Sequence, residues 1–211
     1  MAGRAPIAAA DSGIMDRCYL FDDQGEWEPA RNPLNRYSTV GKRLDMQRLG
    51  PGYAFATTML EAQKDVPIGL VVNARGGTSI NRWAKDSLYY REAVQRCNQA
   101  MQTGTLKGIL WHQGESDRHD DHYLRKLQTL ITQLREDLGD PNLPFVAGEI
   151  KKPGINDQIW HPPEKVPRTG YIRAEDLGTI DGTLFDTAGM KVLGERYAEA
   201  MRRIFDRQTS E

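Results

Sequence analysis

The chain has 211 residues, with 28 Lys or Arg against 29 Asp or Glu and a formal net charge of −1. That balance supplies no basic field for nucleic acid or an anionic membrane surface, and no apolar run approaches the ~20 residues of a membrane span. Two cysteines, Cys18 and Cys97, are too few for a disulfide framework and lack metal-ligand spacing, while 39% hydrophobic residues over this length suit one domain, residues 1–211, with a single core.

Residues 1–50 are punctuated by Pro29, Pro33, Gly41 and Gly50 and read as a long irregular surface segment. The opening Met1-Ala2-Gly3-Arg4-Ala5-Pro6 has no signal-like apolar stretch, which leaves the compartment open. From Gly52 to about Lys64 the spacing predicts a helix with Phe55, Ala56, Met59 and Leu60 on one face. Ile68 to Val72 is a short apolar run between Pro67 and Asn73, expected as a strand buried on both faces. A second helix is expected from Ser87 to about Met101, and a second buried strand over Gly108–Trp111. Asp120 to Leu138 is the clearest helix, with Tyr123, Leu127, Leu130, Ile131 and Leu134 recurring every three or four residues. A third strand covers Pro144–Gly148, and the prolines of Lys151–Thr169 predict loop. The last helix, from about Thr187 to Phe205, buries Met190, Leu193, Tyr197, Met201 and Ile204. Strands alternating with amphipathic helices indicate an α/β domain with a parallel sheet.

Such sheets hold their ligands beyond the carboxyl ends of the strands, and three clusters fall there. Asn73-Ala74-Arg75-Gly76-Gly77-Thr78-Ser79-Ile80 has two adjacent glycines that can turn the backbone and aim N–H groups at a ligand; an ordinary strand-to-helix turn would look the same. In Trp111-His112-Gln113-Gly114-Glu115-Ser116-Asp117 a dense polar run follows an apolar strand, where burial without partners is costly. Gln113 offers an amide donor and Glu115 an acceptor. In Asp181-Gly182-Thr183-Leu184-Phe185-Asp186-Thr187, Asp186 or Thr187 is a natural helix cap, which leaves Asp181 to be explained. His119-Asp120-Asp121-His122 has the composition of a metal cluster, but its acidic residues also suit a helix N-terminus, and no metal is expected.

Together these clusters resemble the SGNH (GDSL-type) hydrolase superfamily, and more narrowly its carbohydrate-esterase branch related to sialate O-acetylesterases. The resemblance covers Met1 to Arg4, Pro33-Leu34, Leu70 to Trp83, Leu110 to Asp117 and Asp181 to Ala200. It implies a three-layer α/β/α, flavodoxin-like sheet and no cofactor. The implied chemistry is removal of O-acetyl groups from sugars through an acyl-serine. It matches Gly76, Gly77 and Gln113 to oxyanion donors and Asp181 to the acid that orients the catalytic histidine, with Arg75, His112 and Glu115 in support. The implied substrate is an acetylated carbohydrate or another small ester.

Two departures shape the expectation. In the family, Met-Ala-Gly follows the catalytic serine, so a chain opening on Met1-Ala2-Gly3 is expected to lack the nucleophile and the first parallel strand. The family's Asp-x-x-His reads Asp181-Gly182-Thr183-Leu184, and leucine accepts no proton. Hydrolysis is therefore expected to be absent or severely impaired. The alternatives are a non-catalytic glycan-binding protein, or an esterase using Ser116 with His119 or His112, although Arg118 breaks the Gly-x-Ser-x-Gly pattern.

Overall fold

The computed structural model describes residues 2–152 and 154–208. Its strands are β1 (Cys18–Phe21), β2 (Trp27–Pro29), β3 (Ile68–Leu70), β4 (Ile109–Trp111), β5 (Phe145–Gly148) and β6 (Thr169–Ile172). Its helices are α1 (Gly52–Ala62), α2 (Leu88–Ala100), α3 (Tyr123–Asp137), the short α4 (Asn156–Trp160) and α5 (Pro162–Lys165), and α6 (Thr187–Gln208). No described helix is long and apolar enough to cross a membrane.

The strands form two three-stranded sheets, ordered β2-β1-β3 and β4-β5-β6. All pairs are parallel except the β1–β2 hairpin. α1 packs against β3 and α6 against β5 and β6, and the two helices make extensive contact with each other. Gly194 permits that contact: a Cβ there would collide with Pro51 O and lie 2.7 Å from Phe55 N. A second apolar cluster joins Tyr90, Ala93 and Val94 of α2 to Leu127, Leu130 and Ile131 of α3 over Trp111 and Phe145. The result is helix, sheet and helix in three layers. Two buried arginines fasten helices to strand ends. Arg96 on α2 donates to Phe21 O (2.8 Å) and Asp22 O (3.0 Å) beyond β1, and Arg135 on α3 donates to Leu143 O (2.9 Å) and Pro167 O (2.8 Å) beside β5 and β6.

Three expectations need correction. Residues 1–50 are not wholly irregular, because they contribute β1 and β2; Cys18–Phe21 is a strand only through its nonlocal pairing with β3. The stretch 151–169 contains two short helices and leads into β6, whose strand character comes from its ladder with β5. The run at Ile68–Val72 is not buried on both faces. Gly69 is exposed and its neighbours are half-buried, as are Gly108, Ile109 and Leu110, whereas all four residues of β5 are buried. The physical reason is that β3 and β4 each have a neighbour on one side only.

Candidate functional site

The loops after β3 and β4 meet. Gln113, 8% exposed, donates from Nε2 to Thr78 O (2.8 Å) and to Asp117 Oδ2. Asp117, 6% exposed, also accepts the N–H of Ile80 at 2.8 Å. Tyr123 Oη lies 2.8 Å from Gln113 O and 3.1 Å from its Oε1. Both amide protons of Gln113 are thus engaged, so in this arrangement its side chain holds no further proton for an oxyanion. The backbone turns at Gly76-Gly77, where Gly77 adopts φ +74°, a conformation glycine takes without strain. Ala2 lies beside this turn, 3.8 Å from a Cβ built on Gly76. Arg75 faces away from the turn and donates to Gly41 O at 2.9 Å, which holds the 38–41 loop against residues 73–75.

His112 is buried at the end of β4. Tyr197 Oη donates to Trp111 O at 2.7 Å and lies 3.0 Å from His112 Nδ1, so Nδ1 carries the proton given to Tyr197. Phe185 stands edge-on to the imidazole, with ring centroids 5.7 Å apart. Burial holds this imidazole well below its ordinary 6.5, and the folded chain keeps it neutral. The unfolded chain takes up a proton near 6.5 that the folded chain refuses. Stability from this group is therefore complete above that pH and erodes as pH falls below it, by up to about 1.4 kcal/mol per pH unit. Urea unfolding between pH 7 and 5 should show this slope, and His112→Gln, which cannot titrate, should flatten it.

Glu115 is half-exposed and Ser116 exposed. Among the described residues neither forms a side-chain hydrogen bond, and none joins Ser116 to His112 or His119. His119 Nε2 instead accepts from Arg118 Nε at 3.0 Å. Asp120 holds Lys126 Nζ at 2.6 Å and the N–H of His122 at 3.0 Å. Among the described residues no group of three or more His, Cys, Asp or Glu is placed to hold a metal ion.

At the third cluster Asp186 caps α6, its Oδ1 accepting the N–H of Gly189 at 2.7 Å. Thr187 Oγ1 instead donates to Pro6 O at 2.8 Å, which ties the start of the chain to α6. Asp181 is exposed, and its Oδ1 accepts the N–H groups of Leu184 (2.8 Å) and Thr183 (3.0 Å). Those two bonds hold its carboxyl below the ordinary 3.8. Leu184 is half-buried in the same turn.

Glu149 and Tyr197 escape the reading of strand-end motifs. Glu149, 1% exposed, follows β5; one oxygen accepts the indole N–H of Trp160 and the other the N–H of Ala174 at 2.8 Å. It pins α4 and the segment after β6 to the same end of the sheet, and Arg173 lies 5.3 Å over the Trp160 ring. The available signal was an acidic residue directly after a strand. Tyr197 reads as a core residue of its helix, and the signal there was a buried tyrosine, whose hydroxyl requires a partner.

This arrangement of layers and strand-end loops has counterparts. A profile described as carbohydrate esterase, sialic acid-specific acetylesterase matches residues 1–203. The chain belongs to the sialic acid-specific acetylesterase family. A probable carbohydrate esterase of Arabidopsis thaliana is 39% identical to this family member over 136 residues, 61% of the chain and 51% of the relative. The chain thus spans about half the length of that relative. A solved structure of an Arabidopsis thaliana protein superposes with a TM-score of 0.85 at 28% identity, covering 96% of this chain and 93% of the other. A carbohydrate acetylesterase from Xanthomonas citri superposes with a TM-score of 0.64 at 22% identity, covering 97% of this chain and 54% of the other, a likeness of fold. In this acetylesterase-family chain, the loops carrying Gly76, Gly77 and Gln113 are joined by hydrogen bonds. The turn carrying Asp181 and Leu184 reaches the same region through Phe185, which packs on His112.

Proposed function

We propose that this chain recognises an acetylated carbohydrate, or a related small ester, at the strand-end loops but lacks the base that would hydrolyse it efficiently. The observation that carries this reading is the Asp181–Leu184 turn. The family resemblance puts Leu184 at the position of the histidine, and the Asp181 carboxylate holds two backbone N–H groups of its own turn. A hydroxyl nucleophile without a neighbouring base is weak. Binding and an oxyanion site alone leave about 10³–10⁴-fold acceleration over water when a triad member is removed. The substrate class is supported by family membership and by the carbohydrate-esterase descriptions of the relatives. Gly76 and Gly77 are the candidate donors to an ester carbonyl, while Gln113 would have to surrender its bond to Thr78 or Asp117 to join them. Arg75 and Glu115 are assigned supporting roles at the loops that carry them.

The test combines hydrolysis of p-nitrophenyl acetate and of O-acetylated sialic acid with calorimetric titration of the acetylated sugar. Saturable binding without saturable turnover is expected. Turnover abolished by Ser116→Ala would overturn the loss of catalysis in favour of a relocated nucleophile. Absence of binding at millimolar sugar would overturn the recognition.

A further inference from the structure

The chain has a net charge of −1, yet its cations are not evenly spread. Three segments meet beside the Gly76-Gly77 turn. The N–H of Leu49 donates to Ala5 O at 2.9 Å, and a Cβ built on Gly3 would stand 2.7 Å from Leu49 O and Gly50 N. Asn35 and Ala74 exchange two hydrogen bonds, of 3.0 and 3.1 Å, and the N–H of Thr39 donates to Asn73 Oδ1 at 3.0 Å. Together residues 2–5, 38–50 and 73–80 carry Arg4, Lys42, Arg43, Arg48 and Arg75 against one acid, Asp45. The bonds of four guanidinium groups fall on residues 40–47. Arg75 Nη1 donates to Gly41 O (2.9 Å), Arg4 Nη1 to Met46 O (3.3 Å) and Arg48 Nη1 to Gln47 O (3.0 Å), while Arg43 pairs with Asp45. Arg4, Arg48 and Arg75 use only Nη1 in bonds to described residues, so each keeps Nε and Nη2 for a ligand. Arg43 and Arg48 are exposed, and the other three cations half-buried. Asp117 also reaches residues 73–80, but it is 6% exposed and turned toward Gln113 and the N–H of Ile80.

We infer that this strip takes the carboxylates of an acidic polysaccharide, so that the ligand is a polyanionic chain rather than a single sugar. The inference rests on the reading of Gly76-Gly77 as the ester-facing turn. Guanidinium forks match carboxylate geometry, and one carboxylate is occupied by one or two of them. Five cations exceed what one acidic sugar engages, and they suit carboxylates repeated along a chain. The strip begins at the ester-facing turn itself. Arg75 directly precedes Gly76, and Ala2, two residues before Arg4, lies 3.8 Å from a Cβ built on Gly76. Sugar units flanking an acetylated one would therefore extend over residues 41–48. Leu44 and Met46, 60% and 37% exposed, stand among the cations and offer apolar contact to the C–H faces of sugar rings. A nucleic acid fits less well, because beyond this strip it meets a surface whose charge is on balance negative.

The test is affinity electrophoresis of the full chain in native gels containing polygalacturonate, with hydroxyethylcellulose as the uncharged polymer. Polygalacturonate carries no acetyl ester, so retardation reads the strip alone, whereas the acetylated-sugar titration above reads the ester-facing turn. Retardation by polygalacturonate only is expected, weakening as added salt screens the charges. Lys42→Gln, Arg43→Gln and Arg48→Gln combined should raise the dissociation constant by about tenfold, as loss of three exposed ion pairs would. Asp45→Asn removes the strip's one acid and should lower the constant by about twofold, a gain that misfolding cannot produce. The inference fails if both polymers retard the chain equally, if the triple variant keeps its retardation, or if Asp45→Asn leaves it unchanged. It also fails if monomeric galacturonate competes as well as the polymer at equal carboxylate concentration, which would mean a single-sugar site. Equal retardation by single-stranded DNA would make the strip a general polyanion surface and overturn the carbohydrate assignment.

Discussion

Phe185→Ala is expected to lower the unfolding free energy by about 3–5 kcal/mol, the range for deleting a buried aromatic ring. Phe185 is fully buried with Met190, Leu193 and Tyr197, and its ring stands against His112. It therefore anchors the Asp181–Leu184 turn to the end of β4, and truncation removes both apolar contact and the wall of the imidazole. The residue also bridges to Thr179, so the turn cannot easily close over the space. Urea titration should show the midpoint falling with an unchanged slope. Phe185→Leu, which fills most of the volume, should lose much less. A loss below about 1 kcal/mol for alanine would mean that the turn collapses onto His112 without that ring.

Gly148→Ala should cost about 3 kcal/mol, at the upper end of overpacking substitutions. A Cβ at this position would collide with the Tyr197 hydroxyl and lie 2.6 Å from His112 Nδ1. Neither partner can swing into solvent, since Tyr197 is fully buried and His112 only 6% exposed. One methyl group must therefore break the Tyr197–His112 bond or displace β5. For a chain of this length the melting temperature should fall by about 6–12 °C. A double-mutant cycle identifies the cause. Tyr197→Phe removes the obstructing hydroxyl, so Gly148→Ala made in that background should be markedly less costly, a coupling of residues in direct contact. Strict additivity would place the strain elsewhere.

The four long helices and the strands β3, β4 and β5 were legible because their signals are local. Tyr123, Leu127, Leu130, Ile131 and Leu134 mark the buried stripe of α3 without reference to any other segment, and Asp186 was a recognisable cap. β1 and β6 were not legible. Each is four residues long, follows turn-forming sequence, and becomes a strand only through a partner distant in sequence: residues 68–70 for β1 and 145–148 for β6. At the site, residue types were readable but the direction of their protons was not. The amide of Gln113 suits an oxyanion by type, yet Asp117 and Thr78 take both donors, and both partners lie on loops whose meeting is a tertiary event. Asp181 likewise has the type of an orienting acid, whereas its geometry is that of a turn.

The close approach of α1 and α6 across Gly194 has a mechanical consequence. Parallel sheets transmit load through their ladders, and among the described residues no ladder joins the β2-β1-β3 sheet to the β4-β5-β6 sheet. Arg135 on α3 binds beside β5 and β6, whereas Arg96 on α2, whose helix packs with α3, reaches across to the end of β1. The bonds that join the two parts include those of the strand-end loops, Thr187 to Pro6 O and Lys191 to Asp11, each at 2.8 Å, and the broadest junction is helix against helix. That junction is apolar and nondirectional, so it tolerates small rotations that a hydrogen-bonded ladder forbids. The two sheets are therefore held to one another by helix packing and side-chain bonds and not by a shared backbone ladder.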